Sequence, residues 1–142
     1  MRKIAFICHG NICRSQMAEF MLKDYLEKNN IKDIYVDSFA VSREEIGNTI
    51  YPSAKACLIE HNVKIYQHRA KQITQADYDY FDELYYMDNS NLHYLNRLLD
   101  DKNHKLQKLL DKDVADPWYS GNFEETYKDL VEGINLILNK RS

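Results

Sequence analysis

Two prolines and four glycines in 142 residues leave little material for a chain made of turns, repeats or linkers. That scarcity excludes collagen-like and low-complexity architectures and points to long regular elements. Three cysteines are too few, and odd in number, for a disulfide scaffold. The chain opens Met1-Arg2-Lys3 and a short apolar run, without a signal-peptide core, so a reducing, cytoplasmic setting is expected. No apolar run approaches the ~20 residues that cross a bilayer, so no membrane segment is expected. The formal net charge is −3, with lysines and arginines dispersed among acids, which gives no electrostatic footprint for nucleic acid. His93 and His104 have no cysteine or carboxylate at ligand spacing and read as solvated, so no metal and no cofactor are expected. Length alone argues for a single domain, 1–142.

What is present begins with Ile4-Ala5-Phe6-Ile7, an apolar run without polar alternation, as in a strand buried on both faces. After the polar octet Cys8-His9-Gly10-Asn11-Ile12-Cys13-Arg14-Ser15, residues Ala18, Met21, Leu22, Tyr25 and Leu26 mark one face of a helix. Glu19/Lys23 and Asp24/Lys28 form four-apart pairs beside that face. The octet thus lies between a strand's carboxyl end and a helix's amino end. There, unpaired backbone N–H groups and the helix dipole hold an anion without any basic patch. Cys8 and Arg14, with five residues between them, make the cradle reactive. A helix amino end and a guanidinium both favour a thiolate nucleophile, and the planar guanidinium grips two phosphoryl oxygens. Ser15 has a hydroxyl to offer the sulfur, and Asn11 a carboxamide to brace the loop.

Further along, Ile34-Tyr35-Val36 reads as a second strand ending at Asp37-Ser38, where Ser38 has Asn11 or Ser15 as potential partners. Residues 39–51 read as an irregular cleft wall carrying Glu44 and Tyr51. Pro52 opens a helix whose face is Ala54, Cys57, Leu58 and His61, and His68 lies in the loop that follows. Thr74 to Asp77 resembles a capping box, Leu84 to Met87 a third strand, and Leu106 to Leu110 a weak fourth. Ser90 is the expected cap of a helix with Leu92, Leu95, Leu98 and Leu99 on one side. Pro117 forces Asp116 into an extended conformation, with Trp118 and Tyr119 as a rigid apolar flank. After Asn122, the stripe Phe123, Tyr127, Leu130, Val131, Ile134, Ile137 and Leu138 predicts a final amphipathic helix. Alternating strands and helices predict an α/β fold, a doubly wound four-stranded parallel sheet with helices on both faces and the phosphate loop after the first strand.

The run from Ile7 through Glu19 resembles the signature loop of the low-molecular-weight protein tyrosine phosphatases. Asp116-Pro117-Trp118-Tyr119, Ser38, His68-Arg69-Ala70-Lys71-Gln72 and Met87-Asp88-Asn89-Ser90-Asn91-Leu92 extend the likeness over nearly the whole chain. The resemblance implies the same fold and hydrolysis of phosphotyrosine proteins and aryl phosphates. Cys8 is implied as nucleophile, Arg14 as phosphate ligand, Asp116 as acid and base, and Ser38 and His68 as braces of the loop. His9, Gly10, Ile12 and Cys13 complete the phosphate cradle. The chain departs from the family at Phe39-Ala40, where small residues are usual, and at Glu44, where an aromatic is usual. Related arsenate reductases need additional cysteines, phosphoarginine phosphatases carry threonine where this chain has Ile12, and a sugar-transport phosphocarrier does not need Arg14 together with Asp116. Phosphoproteins and phosphate are the expected partners, with the chain a monomer or weak homodimer.

Overall fold

The computed structural model describes residues 1–140. Four parallel strands, β1 (Arg2–Cys8), β2 (Ile34–Ala40), β3 (Glu83–Tyr86) and β4 (Leu106–Lys108), lie in the order β2-β1-β3-β4. They alternate with α1 (Arg14–Lys28), α2 (Pro52–Glu60), α3 (Gln75–Tyr80), α4 (Asn89–Leu98), α5 (Pro117–Ser120) and α6 (Phe123–Asn139). The doubly wound α/β arrangement is the one expected. β1 is central, which explains its unbroken apolar run. Ile4, Phe6 and Cys8 pack with Phe20, Leu58, Leu130 and Ile134 of α1, α2 and α6, while Ala5 and Ile7 pack with Tyr78, Phe81 and Leu95 on the opposite face. Burying each of these large side chains contributes about 1.5–3 kcal/mol.

The edges differ from expectation. β2 runs past Ser38 to Ala40, because Phe39 is buried edge-on against Phe81, with ring centroids 5.5 Å apart, and Ala40 bridges to Gln72. Phe39 therefore belongs to the core and not to a cleft wall. β4 stops at Lys108, and Leu109 and Leu110 turn into the core. Asp88, not Ser90, caps α4: its carboxylate accepts from the Asn91 N–H at 2.8 Å, and Asn91 Oδ1 accepts from the Asp88 N–H at 3.2 Å. Thr74 and Asp77 form the expected capping box at α3. In the predicted apolar stripes, Leu98 and Val131 face solvent. Gly133 sits where α6 crosses Leu109, whose Cγ would stand 2.4 Å from an added Cβ, so only glycine permits this approach.

The two ends of the sheet serve different purposes, an ion pair at the amino ends of the strands and a crevice at their carboxyl ends. Arg2 on β1 makes a forked pair with Glu83 on β3, one arm at 2.8 Å, and also donates to Ile137 O in α6 at 2.9 Å. The chain order reverses between β2-β1 and β3, so a crevice opens outside the strand ends at Cys8 and Tyr86.

Candidate active site

The octet follows β1 directly and ends in the first turn of α1. Cys8 Sγ, nearly buried at the strand end, lies 3.0 Å from Ser15 Oγ and 3.4 Å from the Ser15 N–H. Both are donors positioned to solvate a negative sulfur. The loop turns on Asn11, whose φ of +61 is left-handed, a region asparagine tolerates better than most residues. Its amide donates to Ser15 Oγ at 2.7 Å and to Ser38 Oγ at 2.9 Å. Its Oδ1 accepts from the Lys71 N–H at 3.3 Å and faces His68 Nε2 at 2.7 Å. Since Oδ1 only accepts, His68 Nε2 carries a proton. Gln16 donates to Asn11 O at 2.8 Å, fixing the turn from the other side. Ser38 and His68 therefore stand where the loop needs bracing, and they reach Cys8 through Asn11 and then Ser15.

Behind the brace, His68 Nδ1 lies 3.1 Å from Glu19 Oε1, and Ser38 Oγ donates to the same oxygen. Burial pushes Glu19 up, against the pull of Lys23, and pushes His68 down to about 4, against Asp37. For both groups burial is the largest cause, and Glu19 keeps Lys23 Nζ at 2.6 Å on its other oxygen.

Within the octet, Gly10 lies so close to Glu45 that an added Cβ would be 3.3 Å from its Cγ. Ile12 and Cys13 pack with Ala70, and Ile12 O accepts from the Tyr51 N–H at 2.9 Å. Burial, then the charge of Cys8, pushes the Cys13 thiol up to about 12, so it stays protonated at neutral pH. All three cysteines are free thiols.

Arg14 is buried and held from behind. Its Nη1 donates to Asp88 Oδ2 at 2.8 Å and to Val114 O at 3.1 Å, and its Nη2 lies 3.5 Å from Asp116 Oδ2. Burial disfavours its charge, but Cys8, Asp116 and Asp88 outweigh that and raise its pKa. Asp116 is extended, as the following proline dictates, and caps α5 by accepting from the Trp118 N–H at 3.0 Å. One Asp116 oxygen is thereby fixed and the other faces the guanidinium.

These groups line one cleft of about 470 Å³ that also includes Trp118, Tyr119, Glu44, Glu45 and Tyr94. Glu44 sits on the rim, 3.4 Å from His9 Nε2, and His9 meets Tyr94 edge-on with centroids 5.6 Å apart. Trp118 forms a wall, whereas Tyr119 is 88 % exposed and borders the mouth only. Tyr51 stands behind the wall: its ring meets Trp118 edge-on at 5.3 Å and stacks on Phe123 at 6.2 Å. Sequence reasoning missed Asp88, Glu45 and Tyr94 as site residues. Asp88 had a usable signal, since it lies two residues past the end of the strand beside β1; the other two had none.

The family model described as low molecular weight phosphotyrosine protein phosphatase matches residues 3–140. Low molecular weight phosphotyrosine protein phosphatase 1 of Drosophila melanogaster is 35 % identical, with 99 % of this chain and 97 % of the relative covered. The crystal structure of YfkJ from Bacillus subtilis superposes with a TM-score of 0.91 at 33 % identity, covering 97 % of this chain and 92 % of the other. The structure of drosophila arginine phosphatase superposes with a TM-score of 0.84 at 27 % identity and full coverage, 100 % of each chain. A cysteine at a strand end, an arginine gripped by two carboxylates and an aspartate before proline thus occur in a chain matched over its length by phosphatases: it belongs to the low molecular weight phosphotyrosine protein phosphatase family, and the protein is a phosphatase.

Proposed function

We propose that this chain hydrolyses phosphotyrosine in proteins by double displacement through a cysteinyl phosphate. The observation that carries the reading is the convergence of Cys8, Arg14 and Asp116 on one cleft, with Arg14 Nη2 3.5 Å from Asp116 Oδ2. Cys8 sulfur attacks phosphorus in line while the bond to the tyrosine oxygen breaks. Arg14 and the loop N–H groups stabilise charge on the three equatorial oxygens, and their fixed placement lowers the barrier without reorganisation. Asp116 gives its proton to the departing tyrosine oxygen. Water then attacks phosphorus, Asp116 takes its proton, and Cys8 leaves as thiolate with release of phosphate. No step calls for a metal or cofactor, since arginine and the helix end supply the positive field.

Ile12 in the cleft and the Trp118 wall support a flat aromatic leaving group. Three free thiols support work in a reducing compartment, the cytoplasm. Steady-state hydrolysis of a phosphotyrosine peptide beside a phosphoarginine peptide tests the substrate class: preference for phosphotyrosine is expected, and preference for phosphoarginine overturns it. Cys8→Ser is expected to abolish turnover on either substrate.

A further inference from the structure

Outside the lining of the cleft, three groups with metal-ligand chemistry meet between α2 and α6. Cys57 and His61 are four residues apart and lie on one face at the end of α2, where the His61 N–H still bonds Cys57 O at 3.3 Å. Glu124 stands opposite in the first turn of α6. Its oxygens lie 2.8 Å and 3.0 Å from His61 Nε2, and Cys57 Sγ is 3.6 Å from Oε1. One ligand atom from each residue falls within 4.8 Å of the other two. The His61 ring is held in this direction by stacking on Tyr127, with centroids 3.7 Å apart and planes 9° from parallel.

We propose that Cys57, His61 and Glu124 bind a divalent cation of the zinc type, tying α2 to α6. Sulfur, imidazole and carboxylate together are a zinc donor set, and three protein ligands leave one position to water. With metal–ligand bonds of about 2.0–2.3 Å, a tetrahedral ion sets its ligands roughly 3.3–3.7 Å apart. The separation of Cys57 from Glu124 Oε1 already fits, and His61 Nε2, 3.0 Å from the same oxygen, has only to open by about 0.3 Å. Binding exchanges the Cys57 thiol proton, which goes to solvent, for the cation. Cys57 is buried while His61 and Glu124 are partly exposed, so the site has an entry path. The contrast with the other cluster of this kind, Glu19-Asp37-His68, is instructive. There the ammonium groups of Lys23 and Lys71 already sit 2.6 Å from the carboxylates and neutralise them. Among the described residues, no lysine or arginine is ion-paired with Glu124, whose partner is His61.

Titration of the full chain with cobalt(II) tests the site, because a thiolate ligand produces an intense near-ultraviolet charge-transfer band. One equivalent is expected to bind with that band in the wild type, in Cys8→Ser and in Cys13→Ser, which between them test the two thiols at the cleft. The band is expected to vanish in Cys57→Ser, and competition by zinc to weaken on the order of tenfold or more in Glu124→Gln and His61→Gln. Glu124 is exposed and outside the cleft, so Glu124→Gln is expected to retain phosphatase turnover, which confirms its fold. Absence of the band in the wild type, its persistence in Cys57→Ser, its loss in Cys8→Ser or Cys13→Ser, or unaltered affinity in Glu124→Gln overturns the proposal.

Discussion

Arg14 is clamped by Asp88 at 2.8 Å and approached by Asp116 at 3.5 Å, so one guanidinium serves two carboxylates of different duty. Asp88 makes the closer contact and orients the fork; Asp116 stays far enough to turn toward a leaving group. Asp88→Asn keeps the α4 cap oxygen but removes the charge that aligns Arg14. Turnover of an aryl phosphate, kcat/KM, is expected to fall on the order of 10²-fold with the melting temperature little changed. Unchanged kcat/KM contradicts this role.

Asn11 carries two separable burdens, a left-handed backbone and a four-way hydrogen-bond junction. Asn11→Gly retains the backbone freedom and loses the junction, so turnover is expected to drop tenfold or more while the loop still forms. Asn11→Ala adds the cost of a Cβ at positive φ, about 1–2 kcal/mol. A comparison of melting temperature and kcat in the two variants checks this: equal stability of the two removes the backbone argument.

Glu83 ties β3 to Arg2 on β1. Burial raises its pKa, but hydrogen bonds from Arg2 and Tyr85 outweigh burial and leave it below the ordinary 4.5. Its contribution to stability is therefore fully present above about pH 4.5 and drains away as pH falls through the lower, folded-state value. Glu83→Gln is expected to cost about 1–3 kcal/mol at neutral pH, with the gap to the wild type closing in acid. Denaturant midpoints measured between pH 7 and 3 check it; a gap independent of pH contradicts it.

Glu44 and Glu45 place negative charge on the rim of the cleft. Peptides with basic residues beside phosphotyrosine are expected to be turned over several-fold better than acidic ones, and Glu44→Lys to reduce or invert that preference. The effect is expected to fade at high salt, as befits exposed charges. A preference that survives both the substitution and salt places its origin elsewhere.

The parts of this architecture that were legible in the sequence are those with a local physical signature. The unbroken apolar run before Cys8, the helical stripe after Arg14 and the proline after Asp116 each constrain their neighbours directly. The partners of those residues were not legible in the same way. Asp88 lies 74 positions from Arg14, and no periodicity connects them. Asp88 and Ser90 are both good caps by residue type, and only the strand's exit direction selects Asp88. Phe39 read as the start of a loop because its neighbour across the sheet face, Phe81, is distant in sequence. Tyr51 read as a cleft residue, whereas its stacking on Phe123 puts it behind Trp118. Cys57 and His61 showed a helical spacing, but Glu124, which gives that spacing chemical meaning, comes from another helix.

The central claim is that phosphorus passes through Cys8. Asp116→Ala is expected to slow both protonation of the leaving group and activation of water, so that a phosphoenzyme accumulates when this variant is mixed with a fast-leaving aryl phosphate carrying labelled phosphorus and quenched within milliseconds. Mapping of the label is expected to place one equivalent on Cys8 as S-phosphocysteine. Label on a histidine, or full turnover in Cys8→Ser with no trapped intermediate, contradicts the account.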